Sequence, residues 1–156
     1  MKWLLPDEIE AAVLTRNSLL DRIMSNPHAQ RAYANSKIYT HAISPGCTLC
    51  GQGEWSCLFV NGICNAHCFY CPTAQDDPGK PMANAIAFDD PDEYAAYVSR
   101  YHLGGVGFSG GEPLITFDRL LGYLDALKTR IDRPVYTWLY TNGILVNREK
   151  LAALRD

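Results

Sequence analysis

No apolar run in the 156 residues approaches the ~18 needed to cross a bilayer, so a membrane-spanning helix is excluded. Positive charge is not in surplus either. The net charge of -3 argues against nucleic acid as the default partner. The opening Met1-Lys2-Trp3-Leu4-Leu5-Pro6 lacks a sustained apolar stretch, because Asp7, Glu8 and Glu10 follow at once. That pattern predicts no secretion and a cytoplasmic protein. Cysteine is absent outside residues 47–71, where all six occur, at 47, 50, 57, 64, 68 and 71. A disulfide framework would spread its thiols to tie distant loops, whereas such clustering points to metal or redox chemistry. Finally, Cys64, Cys68 and Cys71 are followed by no fourth thiol at comparable spacing. A metal centre held by three protein ligands keeps one position open for chemistry.

Hydrophobic residues make up 47% and charged residues 20%, the balance of a folded globular chain. Pro6 suits a first helical position, and Leu5, Ile9, Val13, Leu20 and Met24 recur near one face, predicting a helix over 7–26 that Pro27 ends. Residues 28–40 read as a second helix around Ala29, Ala32 and Tyr33. Together they predict a helical extension over 1–45, with a second domain over 46–156.

Ser44-Pro45-Gly46 interrupts the chain ahead of Cys47-Thr48-Leu49-Cys50. The run Trp55 to Val60 then reads as a strand that leads through Asn61-Gly62 into the three thiols. Residues 72–89, with Pro72, Pro78, Gly79 and Pro81, read as loop. Asp90-Pro91-Asp92-Glu93 has the signals of a helix start, and Gly104 those of its end. Gly105 to Ser109 reads as a second strand, ending in Gly110-Gly111-Glu112-Pro113. A helix from Thr116 through Ile131, a strand over 135–140, a turn at Thr141-Asn142-Gly143 and a helix capped by Asn147 complete the order. Strand–helix alternation of this kind predicts an α/β fold with a parallel sheet, whose ligands bind at the carboxyl ends of the strands. The cysteine loop, the Gly-Gly-Glu-Pro turn and the Thr-Asn-Gly turn all fall there.

Two chemistries compete for the thiols, and a third reading rests on glycines. Cys47-x2-Cys50 and Cys68-x2-Cys71 have the spacing of a four-cysteine zinc site, but that choice leaves Cys57 and Cys64 idle. A bacterial ferredoxin run has two-residue gaps and a fourth thiol soon after the third, neither of which is present. Gly105-x-Gly107-x-x-Gly110 matches the dinucleotide fingerprint in letters only, since its glycines lie within the strand instead of in the turn that opens a helix.

The combination Cys64-x3-Cys68-x2-Cys71, with Tyr70 before the last thiol and Gly110-Gly111-Glu112-Pro113 one strand–helix unit later, closely resembles the radical S-adenosylmethionine (radical SAM) superfamily over roughly residues 55–143. The resemblance implies that Cys64, Cys68 and Cys71 hold three irons of a [4Fe-4S] cluster. The fourth iron would take the amino and carboxylate groups of S-adenosylmethionine (SAM). Reduction of the bound sulfonium by the cluster would release a 5'-deoxyadenosyl radical that abstracts a hydrogen from the substrate. It further implies Tyr70 beside the adenine, and Gly110, Gly111 and Glu112 at the SAM ammonium. Asn142 is a candidate to face the same mouth, with an ordinary turn as the competing role. His67 reads as a solvated loop residue, not an additional ligand. Cys47, Cys50 and Cys57 are left over, as a second site for an auxiliary iron–sulfur cluster or zinc, or as inert thiols.

By the same resemblance the fold is an incomplete (β/α)6 partial barrel of about three units. The expected partners are SAM, an unnamed substrate and a low-potential electron donor, with a second chain that completes the barrel as one alternative and truncation as the favoured one. On that reading the chain alone binds the cluster poorly and turns over little. The competing function is a zinc- or iron–sulfur-binding module, structural or electron-transferring, built from Cys47 to Cys71.

Overall fold

A computed structural model describes residues 5–155. These fall into two compact units that divide between Ser44 and Pro45. In the first, helix α1 (Pro6–Met24) starts with Pro6 in its first turn, and the Glu8 carboxylate accepts from the Leu5 N–H at 2.7 Å. None of its residues is buried. The segment expected as a second helix is instead an antiparallel hairpin, β1 (Ala29–Ala32) with β2 (Lys37–Thr40). Tyr33, Ala34 and Asn35 between them all have positive φ, a conformation that a right-handed helix cannot contain. Ile38, Tyr39 and Thr40 are strand formers, and the Tyr39 hydroxyl donates across the pair to Gln30 at 2.9 Å.

The second unit opens with helix α2 (Pro45–Gln52). The proline that signalled a break is its first residue, so Cys47 and Cys50 sit on a helix and not in a loop. Strand β3 (Trp55–Phe59) follows, then two two-residue strands, β4 (Met82–Ala83) and β5 (Ile86–Ala87). These lie in the stretch expected as loop. They turn back on each other through Asn84 and Ala85, both at positive φ as a tight hairpin turn demands.

Helix α3 (Pro91–Arg100) is capped by the Asp90 side chain, which accepts from the Asp92 N–H at 2.9 Å. Strand β6 (Gly105–Ser109), a 3-10 turn over Pro113–Thr116, helix α4 (Phe117–Arg130), strand β7 (Tyr136–Leu139) and helix α5 (Arg148–Arg155) complete the unit.

The sheet order is β5-β4-β3-β6-β7. β3, β6 and β7 are parallel, as the alternation predicts. The β4–β5 hairpin adds antiparallel pairing at the other edge, so the sheet is mixed. On one face Leu58, Val106 and Phe108 pack with Tyr94, Ala95 and Val98 of α3 and Leu120, Tyr123, Ala126 and Leu127 of α4 into a single core. Buried Tyr123 anchors this core to the loop before α3 by donating its hydroxyl to the Phe88 carbonyl. The opposite face carries Cys57, Gly107 and Trp138 in register. α2 reaches that face, with Leu49 against Gly105 and Gly46 against the Trp138 ring. Helices on both faces thus leave the carboxyl ends of the three parallel strands to build a site.

Candidate functional site

The three strand ends are fastened to one another before any ligand is considered. At the end of β6, Gly110 has φ +123, and a Cβ there or on Gly111 would run into the carbonyl of Asn61 or of Ile63 respectively. The two glycines therefore let the turn lie flat on the chain that leaves β3. Gly111 N–H donates to Asn61 O at 2.8 Å, and Glu112 N–H to Ile63 O at 2.6 Å. Buried Asn61 answers from the other side, with its Nδ2 donating to Glu112 O at 3.1 Å and to Thr116 Oγ1 at 2.7 Å. Arg119 Nη1 donates to Val60 O at 3.1 Å.

Glu112 is fully buried. One carboxylate oxygen accepts from Leu114 N–H at 3.0 Å and Thr141 Oγ1 at 2.8 Å, the other from Asn142 N–H at 2.7 Å. These bonds cap the 3-10 turn and bind it to the end of β7.

The cysteine loop is closed at its base. Ile63 pairs with Gln75 in a parallel bridge, and Cys64 N–H donates to Gln75 O at 3.0 Å. Inside, Cys71 N–H donates to Cys68 O at 3.1 Å, Gln75 Nε2 reaches the same carbonyl at 3.3 Å, and His67 takes φ +49. Cys64, Cys68 and Cys71 are all part-exposed. They line one cavity of about 480 Å³ together with Ala66, Tyr70, Pro72, Ser109, Gly111, Tyr140, Thr141 and Asn142. The cavity lies within the usual size range of small-molecule sites. Thr73 holds the Cys71 thiol below its ordinary range, through its hydroxyl at 3.1 Å and then its backbone, which favours the metal-binding thiolate. The Tyr70 phenol is pushed up, first by its hydrogen bond to Cys68 and then by the charge of that sulfur. Tyr70 stays 75% exposed and stacks edge-on against Phe69 at 5.2 Å.

Of the residues that the sequence nominates, Cys64, Cys68, Cys71, Tyr70, Gly111 and Asn142 line this cavity. Gly110 and Glu112 lie behind it, as the posts that hold the turn. Exposed His67 is not in the lining. Cys47, Cys50 and Cys57 are on α2 and β3, and the Cys57 thiol is pushed up by burial and then by neighbouring Cys50. Asn61, Thr73 and Gln75 take no part in the sequence argument for a site, though Asn61 directly follows the strand that feeds the thiols, and Thr141 enters it only as part of the Thr-Asn-Gly turn.

Among the described residues no three Cys, His, Asp or Glu side chains converge on a point that could hold a single metal ion. A tetrahedral zinc site needs such convergence, so neither the Cys47/Cys50/Cys68/Cys71 set nor Cys47, Cys50 and Cys57 gains support as a zinc site. A cubane cluster places its irons at separate corners and gives each thiolate its own. Three soft thiols around one cavity fit that demand.

The radical SAM superfamily model matches residues 58–156, well over half of the chain and the whole of this site. The chain belongs to the radical SAM superfamily. Members generally bind a [4Fe-4S] cluster and SAM and use them for radical chemistry. Two relatives agree. The chain is 34% identical, over 113 residues, to a protein of Methanocaldococcus jannaschii provisionally named as a glycyl-radical enzyme activating enzyme; the match covers 71% of this chain and 30% of that one. It is 31% identical over 99 residues to the 7-carboxy-7-deazaguanine synthase of Geobacter sulfurreducens, covering 53% of this chain and 38% of the relative. This radical SAM chain thus spans about a third of the length of the curated relatives it matches. No solved structure matches it. Among the described residues no helix is long and apolar enough to cross a membrane.

Proposed function

We propose that this chain is the cluster-binding part of a radical SAM enzyme, with Cys64, Cys68 and Cys71 as the three thiolate ligands of a [4Fe-4S] cluster. The observation that carries the reading is the shared cavity: these thiols, and not Cys47, Cys50 or Cys57, line one hollow at the carboxyl ends of three parallel strands. When bound, the cluster and SAM supply a 5'-deoxyadenosyl radical for hydrogen abstraction. The residues bind and orient them. Gly111 gives SAM a wall with no side chain, backed by the turn through Gly110 and Glu112. Tyr70 offers an aromatic face, and Asn142 a polar edge. A low-potential electron donor must supply the electron.

The same reading makes residues 46–156 part of the partial barrel and 1–45 an extension of it. Strand β7 lies at the end of the sheet, with Tyr136, Tyr140 and Ile144 exposed beside it. Hollows lined by Leu124, Leu127, Ile131, Val135 and Leu154 flank it. An open apolar edge supports further strand–helix units from a longer chain or a partner. Relatives whose names point to different substrates match overlapping parts of this chain, which supports assigning it the radical-generating step and placing substrate choice elsewhere.

The test is electron paramagnetic resonance of the reduced protein after anaerobic reconstitution with iron and sulfide. A cluster signal that changes when SAM is added is the expected result, because only an open iron responds. A signal indifferent to SAM would favour a structural or electron-transfer module. Robust SAM cleavage by the 156 residues alone would overturn the view that further units are needed.

A further inference from the structure

The orientation of the Asn142 side chain is decided by hydrogen bonds on every side. Its Oδ1 accepts from Ile144 N–H at 2.9 Å. The other end of the amide must therefore face the cysteine loop, where Nδ2 donates to Asn65 Oδ1 at 2.8 Å and approaches Cys64 Sγ at 3.7 Å. The backbone beneath is held as firmly, because Asn142 N–H donates to Glu112 Oε2 at 2.7 Å, and Thr141 Oγ1, which donates to Glu112 Oε1, itself accepts from Gly143 N–H at 3.0 Å. One chain of contacts thus runs from a carboxylate with no exposure to the sulfur of the first thiol of the loop.

The role of Glu112 follows from this geometry. All three bonds into its carboxylate come from the protein, and it does not line the cavity. A buried group so fully engaged is poorly placed to bind an ammonium ion in that cavity as well. Its charge acts through the turn it holds.

We infer that Asn142 is a positioning residue that donates an N–H to the Cys64 sulfur and thereby raises the reduction potential of the cluster, with Glu112 fixing the turn that aims it. The inference rests on the proposed cluster site. A hydrogen bond to a ligating sulfur withdraws electron density from it and favours the reduced state, which carries one more negative charge. The thiolate of Cys64 thus differs from those of Cys68 and Cys71, whose neighbours are the Tyr70 phenol and the Thr73 hydroxyl.

The experiment is a redox titration of the reconstituted chain without SAM, read by the amplitude of the reduced-cluster signal, for the wild type, Asn142→Ala and Asn142→Asp. Asn142 is an exposed residue, so neither substitution threatens the core. Asn142→Ala loses the donor and should move the potential to a more negative value. Asn142→Asp turns an oxygen toward the sulfur and should move it further the same way. Glu112→Gln puts a donor opposite a donor in the turn, and should reproduce the Asn142→Ala shift with no further shift in the double variant. Potentials equal to the wild type in both Asn142 variants would sink the inference while leaving the cluster reading intact. A wild type that takes up no cluster would sink both. If Glu112→Gln weakens SAM binding but leaves the SAM-free potential unmoved, Glu112 is a ligand contact and its positioning role is overturned. Should Glu112→Gln fail to fold, the two Asn142 variants still decide the tuning.

Discussion

The two ends of the parallel strands are built from the same residue types and put them to opposite uses. From the amino end to mid-strand, Gly105 and Gly107 make room for a side chain, the Trp138 ring, and the thiols nearby are held on regular elements, Cys50 on α2 and Cys57 on β3. At the carboxyl end, Gly110 and Gly111 make room for backbone, and the thiols project from an irregular loop into a cavity. A ring can tilt away from an added methyl, but a carbonyl already engaged in a hydrogen bond cannot. A thiol on a helix or strand is bound to the pitch of that element, whereas an irregular loop can point three thiols at one space. Secondary structure, more than cysteine spacing, separates the thiols that share a cavity from those held on a helix and a strand.

The sharpest way to break this contrast is Gly111→Ala. Its Cβ would displace the Ile63 carbonyl that Glu112 N–H occupies, so we expect a loss of more than about 3 kcal/mol in urea unfolding, or no folded protein at all. Next in size is the iron content after reconstitution. Cys68→Ala should bring it close to background and Cys50→Ala should leave it at the wild-type level; equal losses in the two would erase the distinction between the ends. Gly107→Ala, whose Cβ would meet the Trp138 ring at 2.9 Å, should cost only ~1–3 kcal/mol by the same unfolding assay, as overpacking against a movable side chain does.

A smaller effect is expected at Cys57. Its thiol titrates above the ordinary 9.0 in the folded chain because burial, and then Cys50, disfavour the thiolate. The folded state therefore holds the proton more tightly than the unfolded one. The associated stability is complete below pH 9.0 and is lost as pH rises through the folded-state value. Melting temperatures measured as pH rises from 9.0 should fall less steeply in Cys57→Ala than in the wild type. The smallest effect belongs to Lys80→Ala, which breaks the ion pair to Asp89 at 2.6 Å; both side chains are largely exposed, so the change should stay within about 0.5 kcal/mol.

Much of the second unit was legible because its signals are local and redundant. Asp90-Pro91 opens α3, the β-branched and aromatic run around Thr137 gives β7, and each motif falls at a strand end. The hairpin over residues 29–40 was not legible in the same way. Alanines suit a helix, and the left-handed residues Tyr33 and Ala34 carry no glycine to announce a turn. The β4–β5 hairpin is hidden for a similar reason, with Asn84 and Ala85 at its tip and only two residues in each strand.

At the site, spacing nominated the three thiols, which line one cavity, and motif order nominated Gly110 to Glu112, of which Gly111 joins that lining. What spacing could not give was the direction of a buried carboxylate. Glu112 reads as a ligand for a cation, and in the fold its carboxylate accepts from three donors of the protein. Asn61 escaped because an Asn-Gly pair after a strand reads first as a turn.

The bridge between Ile63 and Gln75 sets what happens when metal is absent. It makes the thiol segment a noose whose knot is tied by backbone pairing and not by the metal. Ligands that would otherwise have to find one another across a free chain are confined to the ring between Ile63 and Gln75, so less closure entropy remains for metal binding to overcome. Chelation should then slacken the noose without undoing the knot, and the emptied protein should be ready to take metal again.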